Sequence, residues 1–159
     1  MRKPIIAGNW KMNKTPAEAV ALVKGLIPLV ADAKCDVVVC PPSVCLPAVA
    51  DAIRGTNVRL GAQNVHFAAS GAYTGELSAE MLKAVGCEYV IVGHSERRQY
   101  FGETDKTVNL RATAAVKAGL TAIICVGELK DERVDGYTNA IVTYQVQMAL
   151  KGLTAEELD

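Results

Sequence analysis

The stretch "VIVGHSERRQYF" at residues 90–101 combines the two features that decide the fold. Its first half is a continuous apolar run without alternation, and its second half starts abruptly with a histidine, a serine, a glutamate and two arginines. Continuous runs rich in Val and Ile are typical of strands buried on both faces, as in a parallel sheet covered by helices. The run therefore predicts a strand over 87–93 with a polar cluster at its carboxyl end.

Similar apolar runs recur along the chain, and helical patterns separate most of them. The predicted strands cover 4–10, 35–42, 58–63, 87–93 and 120–127. Thr15, Pro16 and Glu18 form a capping box with proline at the first helical position, so a helix begins there. Two more helices are predicted over 43–55 and 104–119, each ending at a glycine. This alternation of strands and helices predicts an α/β fold.

Composition excludes several classes of protein. The chain has 159 residues, is 50% hydrophobic and has a formal net charge of zero, so it is neither disordered nor basic enough to suggest nucleic-acid binding. Its five cysteines form no C-x-x-C pair, which favours reduced, buried thiols over a redox role. The apolar segments are too short or too interrupted for a signal peptide or a membrane span. We expect one domain, 1–159, in a soluble cytoplasmic protein.

Length and composition alone fit a five-stranded, doubly wound domain of the flavodoxin type. However, the sequence contains neither G-x-G-x-x-G nor G-x-x-x-x-G-K-[ST], the usual nucleotide-binding motifs. The final segment contains a capping box from Thr154 to Glu157, which predicts a helix where the sequence stops. We therefore expect the domain to be cut short. The long connection 64–78 is either functional or a floppy surface loop.

Polar side chains follow the predicted strands, and in parallel α/β folds ligands bind at the carboxyl ends of strands. These residues are Asn9 and Lys11, Gln63 and Asn64, His94 and Glu96, and Glu128. Each has a structural alternative: a solvated lysine, a buried structural histidine, a surface ion pair between Glu96 and the arginines, or a turn capped by Asn9. Because all of these residues follow the carboxyl ends of strands, the pattern favours a site for a small anionic substrate, with Lys11 as cation and His94 as proton donor or acceptor.

Four motifs together resemble the triosephosphate isomerase family. They are "AGNWKMN" (7–13), "GAQNVHFAASGAYTGELSAEML" (61–82), "VIVGHSERRQYFGETD" (90–105) and "CVGE" (125–128), and they occur in family order. The resemblance implies a (β/α)8 TIM barrel that interconverts dihydroxyacetone phosphate and glyceraldehyde 3-phosphate in glycolysis and gluconeogenesis. It also implies that no cofactor and no metal take part.

The resemblance implies a role for each rim residue. Lys11 would stabilise the negative charge of the substrate and of the enediolate, and Asn9 would hold substrate oxygens. His94 would shuttle a proton between the two oxygens, with the first amides of the helix at "SERR" beside its ring. The family is a standard example of a neutral catalytic imidazole, and the resemblance implies the same state for His94. Glu96 would order the site beside Lys11 and His94.

The loop 64–78 reaches into a neighbouring subunit in this family, which implies a homodimer. The residues that match the family interface are Gln63, Asn64, Tyr73, Thr74 and Gly75, with Thr74 at the tip. Arg97 and Glu103 match an ion pair that braces the loop after the fourth strand. Cys125 matches a buried cysteine with a structural role.

The resemblance covers about five of the eight βα units. The family's "YEPVWAIGTG" region, which carries the glutamate base, has no match here, nor do the lid and the phosphate-binding loops. Glu103 and Glu128 match other family roles, so we expect the chain alone to be inactive and the rest to be cleaved, disordered or in another chain. Five strands cannot close the barrel, so sheet edges should be exposed. Two alternatives stay open: a non-catalytic, self-associating half-barrel, and a different phosphate-binding barrel enzyme.

Overall fold

The computed structural model describes residues 3–158. Its strands are β1 (Ile5–Asn9), β2 (Asp36–Cys40), β3 (Val58–Ala62), β4 (Tyr89–Val92) and β5 (Thr121–Ile124). Its α-helices are α1 (Pro16–Leu26), α2 (Leu46–Ile53), α3 (Ala79–Val85), α4 (Ser95–Tyr100), α5 (Asp105–Lys117), α6 (Lys130–Val134), α7 (Thr138–Leu150) and α8 (Ala155–Leu158). Short 3-10 turns cover Ile27–Leu29 and Ser43–Cys45. None of the helices in this part of the chain is long and apolar enough to span a membrane.

The five strands form one parallel sheet in the order β1-β2-β3-β4-β5. A flavodoxin-type domain would reverse its strand order at a switch point. Here every strand pairs with the next one along the chain, so the doubly wound interpretation is wrong. Successive right-handed crossovers in an unreversed order place the helices on one face of the sheet.

Alternate residues of the strands face two different environments. Val37, Val39 and Val90 belong to the main core, which the sheet forms with the helices. Val38 and Ile91 point to the opposite face and form a second, much smaller cluster with Cys40 and Tyr89. The main core therefore lies between the sheet and its helices.

Sequence signals locate several helix ends. The backbone N–H of Thr15 donates to Glu18 Oε2 over 2.8 Å, which confirms the predicted capping box. At the other end of the chain, the N–H of Thr154 donates to Glu157 Oε2 over 2.9 Å, and the predicted short helix is formed. Helices α3, α6 and α7 were not predicted from the sequence.

Two strands are less buried than their sequences predicted. Ile6 of β1 is 64% exposed, and every residue of β5 is half-buried or exposed. The physical reason is that β1 and β5 are the outer strands of the sheet, so each lacks a neighbour on one side. The expectation of exposed sheet edges is confirmed.

All five cysteines are free thiols. Cys40, Cys45 and Cys87 are buried, as expected, and burial raises the pKa of Cys40 and of Cys87 to about 12. Cys125 was expected to be buried but is only half-buried, because it follows the outer strand β5.

Candidate active site

Lys11 lies in a strained turn directly after β1. Its φ is 53°, in the left-handed region that costs a non-glycine residue about 1–3 kcal/mol. Two side chains hold it there: its N–H donates to Asn9 Oδ1 over 2.9 Å, and its carbonyl accepts from Gln63 Nε2 over 2.9 Å. Both peptide groups of Lys11 are therefore anchored, and Asn9 does cap a turn.

Lys11 and Glu96 form an ion pair across the rim. Lys11 Nζ lies 2.9 Å from Glu96 Oε1, and both side chains are partly exposed. The hydrogen bond from Lys11 holds the pKa of Glu96 below its ordinary value. Arg97 and Arg98 instead pair with Glu103 and Asp105. The alternative in which Glu96 pairs with its neighbouring arginines is therefore wrong.

His94 caps the N-terminus of α4 through its ring. Its Nδ1 accepts the backbone N–H of Glu96 over 3.2 Å. A nitrogen that accepts a hydrogen bond carries no proton, so Nδ1 cannot also donate to Glu96 Oε2, which is 3.4 Å away. The hydrogen of the neutral ring is consequently on Nε2.

A cavity of about 320 Å³ brings the predicted site residues together. Its lining includes the four predicted catalytic and substrate-binding residues, Asn9, Lys11, His94 and Glu96. It also includes three of the residues predicted for the dimer interface, Gln63, Asn64 and Gly75. An ammonium, a ring N–H and an amide that share one cavity can together stabilise a developing oxyanion.

The loop 64–78 has contacts of its own. At its base, the N–H of His66 donates to Leu77 O over 2.8 Å. The ring of His66 stacks on Phe67 and packs against Tyr73, with centroid distances of 4.2 and 4.1 Å. Thr74 lies beside Tyr73 at the exposed tip. These contacts favour a structured loop over a floppy one.

Arg111 of α5 joins this loop to the segment after β4, and it was not among the residues predicted from the sequence. Its Nη1 donates to Asn64 Oδ1 over 3.0 Å and lies 3.2 Å from Glu76 Oε2. Its Nε lies 3.4 Å from Oε1 of Glu103, which also accepts from Arg97. The expected Arg97–Glu103 ion pair is therefore present, within a larger buried cluster.

A signal for Arg111 was present in the helical periodicity. Val108, Arg111, Ala112 and Ala115 follow the spacing i, i+3, i+4, i+7, and all four are buried in α5. An arginine on the apolar face of a helix needs a buried partner, because an unpaired charge is costly there.

A second cavity of about 700 Å³ lies on the other side of His94 and includes Cys125 and Glu128 in its lining. Burial raises the pKa of Cys125, which argues against a nucleophilic thiolate. Glu128 pairs with Arg133 at 2.9 Å and accepts from Thr138 at 3.2 Å. Its pKa lies below the ordinary value, chiefly because of a backbone hydrogen bond, so it is a poor general base at neutral pH.

The acidic side chains of the rim are engaged with cations rather than grouped with one another. Among residues 3–158, no three His, Cys, Asp or Glu side chains converge where they could hold a metal ion.

Comparisons with known proteins agree along the whole chain. A family model described as triosephosphate isomerase matches residues 4–159. The triosephosphate isomerase of Clostridium botulinum (strain ATCC 19397 / Type A) is 56% identical over all 159 residues, which are 64% of that protein. The one from Clostridium perfringens (strain SM101 / Type A) is 55% identical, with the same coverage.

A solved structure agrees as well. The crystal structure of triosephosphate isomerase from Bartonella henselae matches with a TM-score of 0.91 and 41% identity, over 98% of this chain and 65% of that one. The five-stranded sheet is thus part of a TIM barrel, and the expected fold is confirmed. The chain spans 64–65% of the length of these relatives.

Proposed function

The chain belongs to the triosephosphate isomerase family, and on that premise we propose that it carries the electrophile half of an active site that interconverts dihydroxyacetone phosphate and glyceraldehyde 3-phosphate. The observation that supports this most is the hydrogen bond that His94 Nδ1 accepts from the backbone N–H of Glu96, in one cavity with the Lys11 ammonium. We place the reaction in glycolysis and gluconeogenesis, in the cytoplasm.

The reaction is a proton transfer through an enediolate. When a base removes the carbon-bound proton, negative charge develops on the carbonyl oxygen, and the Nε2–H of His94 donates to it. The same nitrogen then takes the proton from the neighbouring hydroxyl, which completes the exchange between the two oxygens. Lys11 stabilises the charge, and Asn9 donates from its amide.

Glu96 supports both of these residues without touching the reacting atoms. Its carboxylate holds the Lys11 ammonium, and its backbone N–H holds His94 Nδ1. One residue at the start of α4 therefore sets the position of the cation and the tautomer of the imidazole.

The carbon base is proposed to come from the third of the relatives that this chain does not span. Within the described residues, other glutamates at this end of the sheet pair with arginines: Glu103 with Arg97 and Arg111, Glu76 with Arg111, and Glu128 with Arg133. We expect the 159-residue chain alone to show no isomerase turnover.

The test is a coupled isomerase assay of the chain fused to the remaining third of the Clostridium botulinum relative. The fusion should turn over both triose phosphates, and Lys11→Met or His94→Gln should each lower kcat/KM at least a hundredfold, about 2.7 kcal/mol. Lys24→Met, an exposed lysine of α1, is the matched control and should change little.

Two results would overturn the proposal. One is turnover by the 159-residue chain alone that disappears on His94→Gln. The other is an active fusion whose kcat/KM is unchanged by both Lys11→Met and His94→Gln. That result would favour a different phosphate-binding barrel enzyme.

We further propose a homodimer formed through the loop 64–78. The exposed ring of Tyr73 beside Thr74 and the nearly fully exposed Met12 next to the active-site cavity support an interface on this face. One observation favours the alternative of a non-catalytic, self-associating half-barrel: Ile6, on the outer strand, is also strongly exposed.

Sedimentation velocity separates the two modes of association. Thr74→Arg should dissociate a dimer formed through the loop, whereas Ile6→Lys should leave it intact. The opposite pattern would support the self-associating half-barrel.

A further inference from the structure

Gln63 follows β3 and reaches across the end of β2 to the turn after β1. Its Nε2 donates to Cys40 O over 2.8 Å and to Lys11 O over 2.9 Å. An amide nitrogen has two hydrogens, so this geometry uses both. The family resemblance assigns Gln63 to a subunit interface, but here its donors are used within the chain.

Three side-chain amides, including that of Gln63, form hydrogen bonds with the backbone of the turn at Trp10 and Lys11. Asn9 accepts the N–H of Lys11, and Asn13 donates to Trp10 O over 2.8 Å. The backbone N–H of Trp10 also donates to Cys40 O over 3.1 Å. Cys40 O therefore accepts hydrogen bonds from both Trp10 and Gln63, which ties the turn to the end of β2.

Lys11 needs this support because of its backbone. Its φ of 53° lies in the left-handed region, which a lysine rarely adopts unless its surroundings enforce it. The side chain leaves the backbone in a direction set by that conformation, and the Nζ–Glu96 distance of 2.9 Å depends on it.

We infer that Gln63 is a positioning residue, which holds Lys11 in the left-handed conformation by bridging Lys11 O to the end of β2 and so aims its ammonium at Glu96 and the cavity. The hydrogen bonds of Gln63 are sufficient to support its role in positioning Lys11. The effect of that positioning on catalysis rests on the proposed function, in which Lys11 contacts the substrate.

The test uses NMR on the 159-residue chain. Gln63→Met keeps the length of the side chain but removes both donors, and Gln147→Met, an exposed residue of α7, is the matched control. The backbone coupling constant and the 13Cα shift of Lys11 report its φ, and the Glu96 carboxyl titration reports whether Lys11 Nζ is still in place.

In Gln63→Met we expect the preference of Lys11 for the left-handed conformation to fall about tenfold, since the hydrogen bond to Lys11 O is lost together with the one to Cys40 O. The Glu96 titration midpoint should rise toward its ordinary value, because the lysine that lowers it has moved away. Gln147→Met should change neither quantity.

If Gln63→Met does not fold, a second variant tests the same contact. Gln63→Lys retains hydrogen-bond donors without an acceptor, so Lys11 should keep its positive φ. An unchanged Lys11 in a folded Gln63→Met, or a relaxed Lys11 in Gln63→Lys, would overturn the inference. Failure of the proposed function is a separate outcome: the unsubstituted fusion would show no isomerase turnover, whatever the NMR result.

Discussion

The rim and the layer behind it contain two clusters of similar composition in opposite environments. At the rim, Lys11 pairs with Glu96, and their side chains are 53% and 40% exposed. Behind it, Glu103 is shared between Arg97 and Arg111, and its side chain is 3% exposed. The first pair is open to the cavity where we propose that substrate binds. The second joins α4, α5 and the loop 64–78, and of its three charged side chains Arg97 also lines that cavity.

The difference in exposure predicts a difference in what each cluster does. An exposed ion pair contributes little to stability, because water and salt screen it and both ends stay mobile. A buried pair contributes little net stability when whole, but removing one partner leaves an uncompensated charge in the interior. Changes in the buried cluster should therefore alter folding, and changes at the rim should alter chemistry.

The largest effect is expected for Arg111→Met, which leaves Glu103 with Arg97 as its partner and removes the buried donor that holds the loop 64–78 through Asn64 and Glu76. The free energy of unfolding should fall by about 3–5 kcal/mol, as measured by urea denaturation. Arg54→Met breaks an exposed pair with Asp51 and is the control, with a loss of about 1 kcal/mol or less. Equal losses in the two variants would show that burial does not distinguish the clusters.

A smaller loss is expected when both charges are removed together. In Arg111→Met combined with Glu103→Leu, no buried carboxylate remains, while Arg97 is exposed enough to find water. The double variant should recover about 1–3 kcal/mol of the single variant's loss in the same urea measurement. A double variant at least as unstable as the sum of the two single variants would contradict this account.

At the rim, Lys11→Met should leave the thermal midpoint nearly unchanged but should alter the titration of Glu96. Because the pKa of Glu96 is lowered in the folded chain, the pair is complete above the ordinary value of 4.5 and is lost as the pH falls through the lower, folded value. A 13C carboxyl titration should give a midpoint below 4.5 for the original chain and near 4.5 for Lys11→Met. Identical midpoints would mean that Lys11 is not the partner.

The smallest effect is expected from salt. In 1 M NaCl the Debye length is about 3 Å, so the exposed Lys11–Glu96 interaction should weaken and the Glu96 midpoint should move partway toward 4.5. The backbone and side-chain NMR shifts of Arg97 and Glu103 should stay constant over the same range. A constant Glu96 midpoint together with salt-dependent shifts of Arg97 and Glu103 would show that the first pair is not the exposed one.

Much of the fold and the rim could be predicted because the signals are local. The strand before His94, the capping box of Thr15 and the polar residues after each strand all follow from short stretches of sequence. The exposure of β1 could not be derived from its own apolar sequence, since it depends on the absence of a neighbouring strand. It could be expected only from the family resemblance, because five strands cannot close an eight-stranded barrel and its edges should then be exposed.

The supporting contacts were not predictable, because they join distant positions. Arg111 meets Asn64 across 47 residues of sequence, and Gln63 meets Lys11 across 52. No pattern within one element reports such a contact. The periodicity of α5 shows only that Arg111 is buried, and the identity of its partners needs the folded chain.

The 15N spectrum of the His94 imidazole at neutral pH reports directly which ring nitrogen carries the hydrogen. We expect the Nε2–H tautomer, with an unprotonated Nδ1 that accepts the backbone N–H of Glu96. Replacing Glu96 by proline, which removes that N–H, should weaken this preference. The Nδ1–H tautomer in the unsubstituted chain would show that the start of α4 does not prepare His94 to donate a proton to the substrate.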